Sequence, residues 1–393
     1  MRQANGHAVV LGAGMGGLLA ARALADHFGR VTVVERDELP AAARDRRGVP
    51  QGRHLHGLLA RGVQSLDALF PGLVDELVAD GAPQARFLAE VQLVFSGHQL
   101  ARGDAGVTAV QATRPMLERA VRSRVAGLPN VKLVDGVEVA GLVARDGRVA
   151  GVRIMRPGTA GTEEVLEADL VVDAMGRAGR TRTWLSELGY DPPVEERVKC
   201  DLSYVSRFLR MPEGALAFAR TVAPAEVYAA IRRAEPLSEL ATHKVPASVR
   251  RRYERLRRFP DGLLVFGDAI CSFNPIYGQG MSVAAVEAEA LRRCLEAGDH
   301  DLAGRFFRAA AKAVDPAWKL AAGGDLTLPE VPGRRRPSTR VVNRYVRRLH
   351  RVAAYDAKVA AAFVRVAGLV DPPSAIMTPA VAGRVLLGRR RRP

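Results

Sequence analysis

The sequence predicts an α/β protein with a small antiparallel sheet interleaved into it and a helical C-terminal region. Three observations carry this. Residues 8–35 read as strand, glycine turn, helix and strand. Residues 263–296 read as strand, glycine- and proline-rich turn and helix. Between them lie short apolar runs of the kind that form antiparallel strands. At 393 residues the chain exceeds one ordinary core, so two domains, interleaved or consecutive, are expected.

Ala8 to Leu11 is the first apolar run, followed by Gly12-Ala13-Gly14-Met15-Gly16-Gly17 and a helical stretch from Leu18 to Leu24. Val31 to Val34 is the second run and ends in Glu35. This is a βαβ unit, the seed of a Rossmann-like domain. From Gln51 to Pro71 the pattern is helical, with Leu55, Leu58, Leu59, Val63, Leu66 and Leu69 on one face. Arg86 to Leu100 carries Phe87, Val91, Leu93, Val94 and Phe95 between turn signals, reads as strand, and is expected to leave the nucleotide domain. Arg114-Pro115 opens a helix, where an early proline does no harm.

Val131 to Val143 alternates as strands around Gly136 and Gly141, and Gly147 marks a hairpin turn. Ala168 to Ala174 is a buried strand ending at Gly176. Lys199 to Met211 and Thr242 to Tyr253 are strand candidates, and Ala223 to Leu240 reads as two short helices split by Pro236. Leu263 to Phe266 is a strand running into Gly267-Asp268, and Met281 to Glu296 is a helix. The remainder is helical, broken at Pro316, at Pro329 to Pro337 and at Asp371-Pro372-Pro373.

Apolar residues make up 48% of the chain and charged residues 25%, the balance of a soluble globular protein. The net charge of +16 raises the question of nucleic acid, but it is concentrated at one end. Residues 334–393 hold fifteen Lys and Arg against Asp356 and Asp371 and so carry +13 of it. The near-neutral body gives no reason to expect a nucleic-acid partner. Arg389 to Arg392 could hold acidic lipid weakly, or be a solvated terminus. Cys200, Cys271 and Cys294 are far apart and lack a CxxC, so neither disulfides nor a zinc site is expected. No leader pattern and no run of ~18 apolar residues is present, and a cytoplasmic protein is expected.

Gly12, Gly14 and Gly17 have G-x-G-x-x-G spacing between strand and helix. The first permits the tight turn, the second lets a pyrophosphate approach the backbone, and the third lets the helix pack on the sheet. The helix N-terminus then faces phosphate with its partial positive charge, with Met15 and Gly16 in the same turn. Glu35, followed by Arg36, ends the second strand, where a carboxylate can accept both hydroxyls of an adenosine ribose and repel a 2′-phosphate. In the later segment LLVFGDAICSFNPIYGQG, Asp268 sits at a strand end suited to polyol hydroxyls, and a turn leads into a helix N-terminus that can offer N–H groups to an anion.

Gly267-Asp268 with Pro275, Gly278, Gln279 and Gly280 resembles the second flavin motif of the FAD-dependent monooxygenase superfamily, the aromatic hydroxylases and squalene epoxidases. The resemblance implies a glutathione-reductase type FAD-binding domain. It gives Asp268 the ribityl chain and the backbone of Gly280 and Met281 the flavin pyrimidine. Asp169 to Arg177 resembles that family's Asp-Gly motif, which touches the pyrophosphate region. Here Met175-Gly176 stands in place of Asp-Gly, so Asp173 is either a cofactor residue or structural. The segment Arg44 to His56 is similar to the one that crosses the flavin in a bacterial subgroup containing polyether-antibiotic epoxidases. That makes Arg53 a cofactor contact. Arg114 matches a position near the FAD phosphates, and Val137 one that binds adenine through its backbone. His54 and His56 lack acidic or Cys partners at ligand spacing, so packing or capping is expected and no metal.

The resemblance spans residues 8–325. It implies an FAD-binding domain over 1–85, 101–185 and 255–325, a substrate domain over 86–100 and 186–254, and a basic helical extension over 326–393. Its members reduce FAD with NAD(P)H, add O₂ at the flavin C4a position and pass one oxygen to an aromatic ring or alkene. By that reading the chain is a monooxygenase of an apolar or aromatic small molecule in secondary metabolism, an epoxidase or hydroxylase. A separate flavin reductase is an alternative electron source. No catalytic side chain is named, because this chemistry needs position and dryness more than an acid or base. One departure bears on it: between Met211 and Phe218 the family has further strands, whereas this chain passes directly towards the next helix. The alternatives are an FAD-dependent reductase or dehydrogenase of an isoprenoid-like substrate, and a flavin-binding protein without turnover.

Overall fold

The computed structural model describes residues 3–54, 56–156, 163–210, 234–333 and 337–388. Leu55, the Met211 to Phe218 departure and the Arg389 to Arg392 tail lie outside the described residues. So does all of the expected helical pair over 223–240 except its last seven residues.

β1 (Gln3–Leu11), α1 (Met15–Ala25) and β2 (Phe28–Val34) form the first βαβ unit. β1 pairs in parallel with β2 and with β12 (Leu170–Asp173); β2 pairs with β8 (Val131–Val134) and β12 with β17 (Leu263–Val265). The result is a five-stranded parallel sheet in the order β17-β12-β1-β2-β8. Both of its faces are covered, which is why its strands are continuous apolar runs. Ala8 and Val10 point into the core shared with α1, while Val9 and Leu11 pack with Val137, Leu142, Val149, Val152 and Trp184. Several of the latter belong to an antiparallel meander of β9 (Glu138–Arg145), β10 (Arg148–Met155) and β11 (Glu163–Glu167).

A second layer is built from β3 (Gly57–Leu58), α2 (Ala60–Leu69), α3 (Leu73–Ala79), β4 (Gln84–Arg86), β7 (Thr108–Gln111) and α4 (Arg114–Ala126), with the hairpin β5 (Val94–Phe95) and β6 (His98–Gln99). After α5 (Thr181–Glu187), the long strands β13 (Glu195–Ser206) and β16 (Ala241–Arg251) pair antiparallel, with β14 (Leu209–Arg210) and β15 (Glu235–Pro236) beyond their end and β18 (Cys271–Ser272) alongside. α6 (Gly280–Glu296) and α7 (Leu302–Asp325) return to the main core. α8 (Pro337–Ala353), α9 (Ala357–Ala367) and α10 (Pro379–Leu387) complete the chain. No helix among the described residues is long and apolar enough to cross a membrane.

Four expectations differ from the structure. The helix predicted from Gln51 begins only at Ala60, because Pro50–Arg53 forms a 3₁₀ turn and Gly57-Leu58 pairs with Val110-Gln111. The stretch Arg86 to Leu100 does not join the β13–β16 sheet. Left-handed backbone at Leu88, Ser96 and Gly97 divides it into turns and the two-residue strands β5 and β6, and Leu88 and Leu100 bury against Leu349, Val352 and Phe363 of the C-terminal helices. Pro236 lies in β15 rather than between helices. Pro316 does not end its helix: α7 runs through it, held by Phe306, Ala310 and Val314 on one side and Ala317, Trp318 and Ala321 on the other. Core burial there outweighs the roughly 3 kcal/mol a proline costs a helix interior.

Candidate functional site

The turn after β1 is built around two glycines that no other residue could replace. Gly12 has φ +97°, and a Cβ there would lie 3.0 Å from the Ala174 carbonyl oxygen. A Cβ on Gly17 would lie 1.7 Å from the Gly12 oxygen, so the first turn of α1 can sit on the strand end only without a side chain. Gly14 is the N-cap of α1, which has no side-chain cap and no acidic residue in its first turn. Its N–H groups are left to face an anion.

The three glycine-bearing segments meet here. An added Cβ on Gly16 would lie 3.9 Å from Gly267 Cα, one on Gly176 3.8 Å from Asp268 Cβ, and one on Gly280 3.6 Å from Asp268 Oδ1. Asp268 therefore stands between the third motif and the N-terminus of α6. Its carboxylate is solvent-accessible and has no hydrogen-bond or ion-pair partner among the described residues. α6, like α1, has no side-chain cap and no acid in its first turn. The N-cap residue Gln279 is 1% exposed, and both of its side-chain polar atoms are unpartnered. Pro275 opens an exposed 3₁₀ turn that Gly278 closes at φ +62°, and Met281 packs at the edge of the core.

Beneath the Gly267-Asp268 turn, Glu287 of α6 is fully buried, and its Oε2 accepts the Gly267 N–H at 2.8 Å. Oε1 has no partner. Burial raises this carboxyl to a pKa of about 8, with Asp268 adding to the shift and Arg250 opposing it. The sequence signal was available, since an acidic residue occupies a core position among Ala284, Ala288 and Leu291.

Glu35 is buried, with Oε2 accepting the Ala13 N–H at 2.8 Å and Oε1 the Asp37 N–H at 3.1 Å. Arg46 is the residue sequence reasoning overlooked. Its guanidinium is 6% exposed and lies 3.2 Å from Glu35, 3.4 Å from Asp37 and 2.5 Å from Glu118, and it donates to the Ala13 carbonyl at 3.1 Å. Glu118 also accepts from Arg114 Nε at 3.1 Å. Arg114 and Glu118 are four residues apart on α4, a helical pairing legible in the sequence, but their meeting with Arg46 is not. With three donors on Glu35, about one of a carboxylate's roughly four acceptor positions is left for a ribose hydroxyl.

The other candidates are more dispersed. Asp173 is fully buried, and its carboxylate accepts from Met175 N at 3.0 Å and from Thr181 N and Oγ1 at 3.3 and 2.5 Å, which fixes the β12 end. Val137 is buried and donates its N–H to the Glu35 carbonyl at 2.9 Å. Arg36 and Arg53 are exposed, the former 4.0 Å from Asp37 and the latter 3.7 Å from Asp45.

The β13–β16 sheet is tied to this region: Arg177 donates to the Ala247 carbonyl and Arg251 to the Ala269 carbonyl, each at 2.9 Å. Tyr204 and His243 are cross-strand partners, and the buried His54 ring sits edge-on to Tyr204 at 4.4 Å and 5.9 Å from His243. His54 Nδ1 bonds to Ser206 Oγ at 2.8 Å, and His56 Nδ1 to the His54 carbonyl at 2.9 Å. Burial lowers all three histidine pKa values, His56 to about 4 with Arg114 adding to it. Among the described residues no group of three or more His, Cys, Asp or Glu side chains is arranged to hold a metal ion.

Two uncapped helix N-termini, a turn that excludes side chains and, between them, a carboxylate without a partner among the described residues fit a dinucleotide. No family model matches the chain. It is 36% identical to Protein Rv3254 of Mycobacterium tuberculosis over 97% of this chain and 93% of that protein. It is 26% identical to kynurenine 3-monooxygenase of Salinispora arenicola over 76% of this chain and 74% of that enzyme. Among solved structures it resembles a flavoprotein/dehydrogenase from Cytophaga hutchinsonii, with a TM-score of 0.63 and 14% identity over 98% and 99% of the two chains. The chain belongs to the family of Protein Rv3254.

Proposed function

We propose that this protein is an FAD-dependent monooxygenase, an epoxidase or hydroxylase acting on an apolar or aromatic small molecule in secondary metabolism. NAD(P)H, used directly or through a separate flavin reductase, is the proposed electron source. The observation that carries the cofactor reading is Asp268, a carboxylate without a partner among the described residues that stands between Gly176 and the N-terminus of α6. Kynurenine 3-monooxygenase, among the relatives, supports the oxygenase reading.

Bound FAD would supply two-electron storage and oxygen activation. The N–H groups at the start of α1 would bind its pyrophosphate, with Arg46 close by. Glu35 would accept from the adenosine ribose and Asp268 from the ribityl hydroxyls. The N-terminus of α6 would stabilise negative charge on the pyrimidine end. His54, Tyr204 and His243, with Leu202 and Val245 on the same strands, would shield the reacting face from water, and dryness is what keeps oxygen transfer coupled to product.

The test is an absorbance spectrum of the purified protein after FAD loading and desalting, followed by turnover with NADPH or NADH under ¹⁸O₂ across alkenes and arenes. Retained flavin with substrate-dependent label in product supports the reading. Retained flavin with only hydrogen peroxide across the panel would sink oxygenation and leave cofactor binding standing. The likeness to a flavoprotein/dehydrogenase favours a second reading, a reductase or dehydrogenase, for which turnover would persist without oxygen.

A further inference from the structure

The C-terminal helices carry a charged surface that the flavin site does not use. α8 has no acidic residue, and Arg340, Arg344, Arg347 and Arg351 fall at i, i+4, i+7 and i+11, one stripe along a helix. All four are exposed, and none has a carboxylate or hydrogen-bond partner among the described residues. The opposite face of α8, with Leu349, Val352 and Ala353, is buried against α9 and the 87–107 loops, so the stripe is held facing outwards. The only acids in these helices and their connections are already engaged: Asp356 by Arg384 at 2.7 Å and Asp371 by Arg365 at 2.6 Å.

Apolar residues flank the stripe. Val341 and Arg348 are seven residues apart and share its flank, and Val341 is 68% exposed. Arg348 donates to the Val385 and Leu386 carbonyls at 2.6 and 2.7 Å, which brings the end of α10 to the same side. There Leu386 is 57% and Leu387 80% exposed. Polar backbone of a nucleic acid has no use for two exposed leucines beside its cation row. A bilayer has: phosphate headgroups take the arginines, and the leucines enter the acyl boundary.

We propose that the α8 arginine stripe and the Leu386-Leu387 end of α10 form a docking surface for an anionic lipid bilayer, on which the protein lies without spanning it. The source of the phosphate is the membrane headgroup layer. Each arginine reaching that layer strengthens partitioning roughly fivefold at moderate salt, and the row is weakened as the Debye length shortens.

The experiment is co-sedimentation of the full-length protein with vesicles of phosphatidylcholine containing about one-third phosphatidylglycerol, and with pure phosphatidylcholine, at low and high sodium chloride. The variants are Arg340→Gln/Arg344→Gln/Arg347→Gln/Arg351→Gln and Leu386→Ser/Leu387→Ser. Both keep the sequence after residue 388 intact, so a loss reports on the folded surface, and circular dichroism checks that both fold. The expected result is binding to anionic vesicles only, at least about tenfold weaker in the arginine variant and several-fold weaker in the leucine variant. Undiminished vesicle binding by the arginine variant would overturn the proposal. So would tighter binding of the wild type to a DNA duplex than to vesicles at equal salt, with the leucine variant unaffected, since that describes a polyanion site.

Discussion

Glu287 reaches from the middle of α6 to accept the Gly267 N–H at 2.8 Å, and so ties the helix whose N-terminus faces the site to the turn that carries Asp268. A fully buried carboxyl with one free oxygen is costly as an anion, which is why its pKa rises from 4.5 to about 8. Because the native pKa is raised, its contribution to stability is fully present below about 4.5 and is lost as pH rises through about 8. Glu287→Gln keeps an acceptor for Gly267 and cannot ionise. The melting temperature of the wild type should fall more steeply between about pH 5 and 8.5 than that of this variant, while Glu287→Ala should lose about 1–3 kcal/mol. Parallel pH profiles for wild type and the Gln variant would remove Glu287 as the titrating group.

Gly17→Ala places a methyl where the Gly12 oxygen already is, at 1.7 Å. The helix must then lift from the strand end and lose its aim at the pyrophosphate. Flavin-to-protein absorbance after desalting should drop at least about tenfold, with a lowered melting temperature. Gly323→Ala, which has open space around it, is the control and should leave both unchanged.

Asp268 separates binding from folding. With no hydrogen-bond or ion-pair partner among the described residues, it makes no contact of that kind in the fold that Asp268→Ala would remove. The apoprotein should melt at the wild-type temperature. FAD affinity measured by fluorescence quenching should fall about 10- to 100-fold, the loss of hydrogen bonds to a charged acceptor. Equal affinity in the variant would show that the polyol lies elsewhere.

Arg46→Ala leaves Glu35 and Glu118 facing each other without their shared cation. Removing one partner of a buried ion pair typically costs about 3–5 kcal/mol. Arg46→Lys should recover only part of this, because one ammonium cannot reach Glu35, Glu118 and the Ala13 carbonyl together. Urea denaturation of the two variants checks both statements.

Much of the frame was legible in the sequence because its signals are local. The spacing of Gly12, Gly14 and Gly17 between two apolar runs reflects backbone geometry that only those residues permit, and Asp268 follows a buried strand at a turn into a helix. Such constraints act over a few residues, and the pattern records them.

What only the tertiary structure decided is which distant groups meet. Arg46 lies in a segment without strong periodicity, and its place between Glu35 and Glu118 depends on three elements packing together. Arg86 to Leu100 looked like part of the longer sheet because its residues are apolar, yet Leu88 and Leu100 are buried by helices more than two hundred residues later in the chain. Pro316 looked like a break because proline is locally unfavourable in a helix, and burial on both sides of it outweighed that preference. Local conformational preference is written residue by residue. Burial and charge pairing are properties of the assembled chain, and they had the last word wherever the two disagreed.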